Sequence, residues 1–167
     1  MLTSETHTID GALADLEERI DETEERIDEL DESTQEHESL TAARDRLRYF
    51  RNGLVWQRDE EEWGGDAEIE LGALTAGEKA MMHREAPDHA DREEMRIWFV
   101  AASTVDGLYC HDDLAKTFRA LSQCHPAFVE WAEAQANGLG VPNDTGNRSS
   151  MSSSATEGSE TSADEPA

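Results

Sequence analysis

Two dipeptides carry the residue types that could do chemistry: Cys110-His111 and Cys124-His125, 14 residues apart. Thiolate and imidazole together bind zinc, so a small metal-dependent enzyme is the first reading to weigh. Its spacing is wrong. Zinc sites use Cys-x2–4-Cys or His-x3–5-His, which turn two ligands toward one ion, whereas adjacent residues point in different directions. A free cysteine more often packs as a small apolar side chain. His83, Glu85, Asp88, His89 and Asp91 form a second cluster, but it lacks the i, i+4 histidine pair of a helical zinc site. In so acidic a chain, histidines near carboxylates arise by chance.

Other catalytic patterns fail too. The chain has no Gly-x-Ser-x-Gly elbow. Gly138-Leu139-Gly140 closes a helical pattern instead of opening one, so it does not read as a phosphate loop. No carboxylate pair stands out among 39 acidic residues. The expectation is a non-catalytic protein with no metal and no cofactor. Trp56, Trp63, Trp98 and Trp131 could stack nucleic-acid bases. At a net charge of -25 they read instead as core and protein-contact residues.

That charge bounds the partners. Free nucleic acid and anionic membranes are repelled. Lys79 and Lys116 are the only lysines, and every other cationic side chain is arginine. Acid excess with so little lysine resembles an extreme halophile's protein, in which multimolar salt shortens the Debye length to about 3 Å or less. The N-terminal residues show no basic start followed by an apolar run. No stretch approaches the length of a membrane span. Two cysteines make no disulfide framework, so reduced thiols and the cytoplasm of a halophilic archaeal host are expected.

The elements fall into three segments. Residues 1–52 read as coiled-coil-like helix. Ile9, Leu13, Leu16, Ile20, Ile27 and Leu30 form a heptad seam, and Leu40, Ala43, Leu47, Phe50 and Leu54 form a second one. The seams are out of phase by one residue, and the slip lies in Asp31–Ser39. The first half is rich in carboxylates from Glu17 to Glu29. The second carries Arg44, Arg46, Arg48 and Arg51. Two geometries fit: one long helix pairing with a second chain, or a fold-back near Ser33–Ser39 laying acidic helix on basic helix. The absence of Gly or Pro at the break favours the continuous helix.

Residues 53–140 read as a small helical domain. Asn52-Gly53 signals a helix stop. Gly53–Gln57 and Ala67–Leu74 alternate like strands and suggest a small β-hairpin. Thr75-Ala76-Gly77-Glu78 is a capping box for a helix ending before Pro87. A core helix from near Asp88 presents Met95, Trp98, Phe99, Ala102 and Val105 and ends at Asp106-Gly107. Asp112 caps the next helix, through Leu114, Phe118 and Leu121. Pro126 opens a last one, stopped by Asn137-Gly138. Residues 141–167 are Ser-rich and acidic with almost no large apolar residue, and read as a disordered tail. The fold class expected is mainly α.

The order of elements over residues 68–140 resembles the tail assembly chaperones of long-tailed viruses and prophages. The resemblance is carried by the strand-like run and capped helix of Glu68–Glu78, an acidic connector with Asp88 and Arg92, and a core helix ending Ala102-x-x-x-Val105-Asp106-Gly107. An acidic helix start at Asp112-Asp113 follows, then a helix closing on Asn137-Gly138-Leu139. It covers under half of the chain. The front coiled-coil segment and the Ser-rich tail depart from the family pattern. The resemblance implies a protein that coats a long helical tape-measure protein, keeps it soluble and recruits tail-tube subunits. The expected contacts are the seam Leu13, Leu16, Ile20, Ile27 and Leu30, and a groove near Trp98, Phe118 and Trp131. The alternative is a cytoplasmic coiled-coil adaptor or regulator of a halophile, forming a homo-oligomer through Ile9–Leu30.

Overall fold

The structure is a computed structural model and describes residues 1–141. Of the disordered tail expected over residues 141–167, all but Val141 lies outside the described residues. The described residues are mainly helical, with six helices and one small sheet: β1 (Ser4–Thr8), α1 (Ile9–Asp28), α2 (Gln35–Asp59), β2 (Glu68–Gly72), α3 (Ala76–Glu85), α4 (Arg92–Ser103), β3 (Thr104–Asp106), α5 (Leu114–Leu121) and α6 (Pro126–Leu139). No helix among the described residues is long and apolar enough to cross a membrane.

The favoured continuous front helix does not form; the chain folds back. Its turn is built by short polar side chains. The Asp31 carboxylate accepts from the Ser33 amide at 2.9 Å and the Ser33 hydroxyl at 2.7 Å. Those two bonds hold the Asp31 carboxyl below its ordinary range. Thr34 then caps α2, accepting from the His37 amide at 3.2 Å. Asp, Ser and Thr compete for backbone hydrogen bonds in this way and interrupt a helix without Gly or Pro.

The fold-back lays the acidic helix on the basic one. Arg51 meets Glu17 at 3.2 Å, Arg26 meets Glu36 at 3.4 Å, and Arg48 pairs with Glu24. Exposed ion pairs are individually weak, so they favour this alignment more than they hold it. Apolar burial holds it. Leu13, Leu16, Ile20 and Ile27 of α1 and Leu47, Phe50 and Leu54 of α2 are all buried, each worth about 1.5–3 kcal/mol relative to exposure.

The expected stop at Asn52-Gly53 is also overturned: α2 runs on to Asp59. Gly53 sits where α2 meets α6. A Cβ there would lie 2.5 Å from the Phe128 amide nitrogen and 2.7 Å from the Ala127 Cβ. The glycine permits close helix approach rather than ending a helix. Gly53–Gln57 is therefore helical, and the expected hairpin with Ala67–Leu74 does not form. The boundary expected after residue 52 falls inside α2, and one core draws on both sides of it, from Ile9 to Ala132.

The second half of that hairpin does form a strand, β2, with other partners. It is the middle strand of an antiparallel sheet ordered β1-β2-β3. Ser4 faces Gly72 and Thr8 faces Glu68, while a bulge interrupts the pairing with β3 between Glu70 and Leu71. Ile69 and Leu71 point inward and are buried.

The remaining helices follow their local signals to within a few residues. The Thr75–Glu78 capping box is formed, with the Thr75 amide donating to Glu78 at 2.8 Å. Helix α4, expected from near Asp88, starts at Arg92 behind an Asp91 cap, and Asp113, not Asp112, caps α5. Helix α4 ends at Ser103, because Thr104–Asp106 leaves it to pair with β2. Pro126 occupies the first turn of α6, which passes Asn137-Gly138 and ends at Leu139.

Two glycine substitutions test the α2–α6 approach. Gly53→Ala is expected to destabilise by about 1–3 kcal/mol through overpacking, despite alanine's higher helix propensity. Gly77→Ala, which meets only Thr75 Oγ1 at 3.9 Å, is expected to stabilise by about 0.5–1 kcal/mol. Thermal unfolding at fixed multimolar salt measures both. Equal stabilisation by the two would refute a close contact at Gly53.

Candidate functional site

The Cys-His dipeptides do structural work. His125 caps α6, its Nδ1 accepting from the Ala127 amide at 3.1 Å, while its own amide donates to Gln57 Oε1 at 2.8 Å. The His111 amide donates to the Thr117 hydroxyl at 2.9 Å. The Cys124 thiol donates to the Ala120 carbonyl and the Cys110 thiol to the Val105 carbonyl, each at 3.7 Å. Both cysteines are free. Burial, with a smaller contribution from Glu61, pushes the Cys124 thiol up to about 12. Among the described residues, no group of three or more His, Cys, Asp or Glu is placed to hold a metal ion.

The expected contact seam is used inside the chain. Leu13, Leu16, Ile20 and Ile27 are buried, and Leu30 is half-buried beside the turn. Their apolar surface faces α2 and the body, so this fold leaves no open stripe for a partner. The reason is the fold-back: α2 supplies the second helix that the seam requires.

The expected groove near Trp98, Phe118 and Trp131 is divided. Trp98 stacks on the half-buried Phe118 at 4.3 Å between ring centroids and packs with Leu74, Met82 and Ala86 in a small cluster of its own. Trp131 lies in the main core at 2% exposure, edge-on to His7 at 5.5 Å and tilted against Phe128 at 5.8 Å.

Two aromatics stay outside. Tyr49 is 38% exposed and Trp56 46% exposed. Their seven-residue spacing puts them on one face of α2. Both flank the His125 ring, with centroids 6.5 Å and 5.6 Å away. The Tyr49 hydroxyl donates to Glu130 at 3.4 Å. Partial burial, then the Glu130 charge, raises the phenol pKa.

An apolar cleft adjoins this ridge. Ile97 of α4, Leu121 of α5, Cys124 of the connecting loop, and Pro126 and Val129 of α6 line it, and its volume is about 310 Å³. Arg96 stands at its edge, held by Glu133 at 2.7 Å, Glu93 at 2.5 Å and Glu130 at 3.5 Å. Exposed Trp and Tyr beside an apolar recess, with charged groups at the rim, is the composition of a protein-contact surface. In the sequence Trp56 stands out only as one of four tryptophans, and Tyr49 does not stand out at all. The available signal was that both lie off the α2 seam, seven residues apart.

No protein-family model, curated protein or solved structure matches the chain.

Cys124 provides a pH test. The native thiol keeps its proton to about 12, whereas an unfolded one releases it near 8.5. The unfolded state therefore binds fewer protons between those values, and stability falls as pH rises through that window. Cys124→Ala is expected to reduce this alkaline loss, read as midpoint shifts in denaturant titrations at pH 8 and pH 10. An unchanged pH dependence would contradict the burial of the thiol.

Proposed function

We propose that this chain is a non-catalytic, salt-adapted tail assembly chaperone of a halophilic archaeal virus or provirus. It acts in the host cytoplasm. It binds a long helical tape-measure protein, keeps its apolar seams soluble and brings tail-tube subunits to it. The resemblance over residues 68–140 supplies the family. The observation that carries the binding role is the exposed Tyr49–Trp56 ridge beside the apolar cleft. A helical client lays an apolar stripe into such a recess. The carboxylate-rich remainder of the surface keeps the loaded complex hydrated, and high salt strengthens the apolar contact while screening repulsion between acidic partners.

The contact surface thus moves from the α1 seam to α2, α4 and α6. The rival adaptor needs the Ile9–Leu30 stripe for a dimer, and that stripe is already covered by α2.

Affinity capture from the native cytoplasm, held at multimolar salt and read by mass spectrometry, tests the proposal. Recovery of a very long helix-rich protein, or of a β-rich tube subunit, is the expected result. Tyr49→Ala with Trp56→Ala is expected to weaken that binding about thirtyfold or more, the loss of two aromatic anchors at about 1–2 kcal/mol each. Recovery of the bait alone, in a host producing tail proteins, would contradict it.

A further inference from the structure

The chemistry of the Tyr49–Trp56 surface specifies what its partner must carry. This rests on the reading of that surface as the contact face. We infer that it takes an amphipathic segment bearing one large apolar side chain and, beside it, an arginine.

The apolar side chain follows from the cleft. Its walls are Ile97, Leu121, Pro126 and Val129, and its volume of about 310 Å³ accommodates one leucine, methionine or phenylalanine side chain. The arginine follows from charge and from the indole. Arg96 is already surrounded by Glu93, Glu130 and Glu133, so carboxylate is in excess at the cleft edge. Glu60 lies with Trp56 around a shallow recess, whose other carboxylate, Asp59, is already paired with Arg58 at 2.8 Å. Glu61 is close enough to Cys124 to act on its titration. A guanidinium is favoured on the open face of an exposed tryptophan and reaches nearby carboxylates with its remaining donors. An ammonium reaches the carboxylates but stacks less well. A second copy of this chain would bring the same carboxylates against themselves, which disfavours self-association through this face.

The probes are three synthetic helix-forming peptides that share one leucine stripe and differ only in flanking residues: arginine, lysine or glutamate. Each is titrated against the full chain at the lowest salt that preserves its helical circular dichroism, with tryptophan fluorescence as the readout. The arginine peptide is expected to bind about tenfold more tightly than the glutamate peptide, the sum of a few weak ion pairs and one stacking contact. The lysine peptide should fall between them, and the differences should shrink as salt rises. Trp56→Ala should remove the arginine-over-lysine advantage, measured by calorimetry because that indole is then gone. Glu60→Lys with Glu61→Lys should weaken the preference for both cationic peptides over the glutamate one. Equal binding of the arginine and glutamate peptides, or an arginine advantage that survives Trp56→Ala, would overturn the inference. Peptide discrimination without capture of any tail protein would leave this inference standing and remove the chaperone role. Capture that depends on Trp56, without peptide discrimination, would do the reverse.

Discussion

The burial of the α1 seam against α2 is the constraint on which the rest of the molecule depends. Leu13, Leu16 and Ile20 meet Leu47, Phe50 and Leu54 in the main cluster, which continues into Phe128, Trp131 and Ala132 of α6. With α1 closed on α2, α6 packs into the same core against both helices, and Gly53 lets it approach α2 closely. Thr8 joins β1 to α1 by capping the helix at the Gly11 amide, 3.0 Å away. Seating α1 therefore also places β1 against β2. The sheet, the α6 packing and the exposed Tyr49–Trp56 ridge all follow from one helix hairpin.

Electrostatics shapes this arrangement more than it stabilises it. A net charge of -25 opposes compaction. The chain answers by placing Arg26, Arg48 and Arg51 opposite acidic residues across the hairpin, and Arg96 among three glutamates. These pairs offset local repulsion, while apolar burial supplies the net stabilisation. High salt weakens the exposed pairs, but it also screens the carboxylate repulsion they offset and strengthens effective burial.

Features encoded locally were legible in the sequence. The Thr75–Glu78 capping box, the proline opening α6 and the α1 seam each need only a few neighbouring residues, and all formed. Features that depend on a distant partner were not. Gly53 reads as a stop until Ala127 and Phe128 are known to lie against it. Ser4–Thr8 is too polar to announce a strand, and it forms one because β2 presents an edge to it. The Asp31–Thr34 turn uses side-chain hydrogen bonds where Gly or Pro would be the plainer signal. The same limit applied to the site. Leu16 and Ile20 are as apolar as a docking stripe would be, and only the position of α2 shows that their faces are covered. Trp56 is as apolar as Trp131, yet one lies outside and the other inside because of where α6 packs.

The most direct test of the account is the distance between α1 and α2 in solution. Nitroxide labels would replace Glu17 and Arg51, with Cys110→Ser and Cys124→Ala removing the native thiols. The labelled chain would be diluted into unlabelled chain so that only intramolecular pairs contribute, and double electron–electron resonance would be recorded at multimolar salt. In the hairpin, Glu17 and Arg51 touch at 3.2 Å, so the labels should lie within about 20 Å, given packed helix axes about 8–10 Å apart. A continuous helix would separate these positions, 34 residues apart, by about 50 Å at its 1.5 Å rise per residue. The short distance is the predicted result. The long one would reopen the α1 seam to a partner and contradict the placement of the contact surface on α2 and α6.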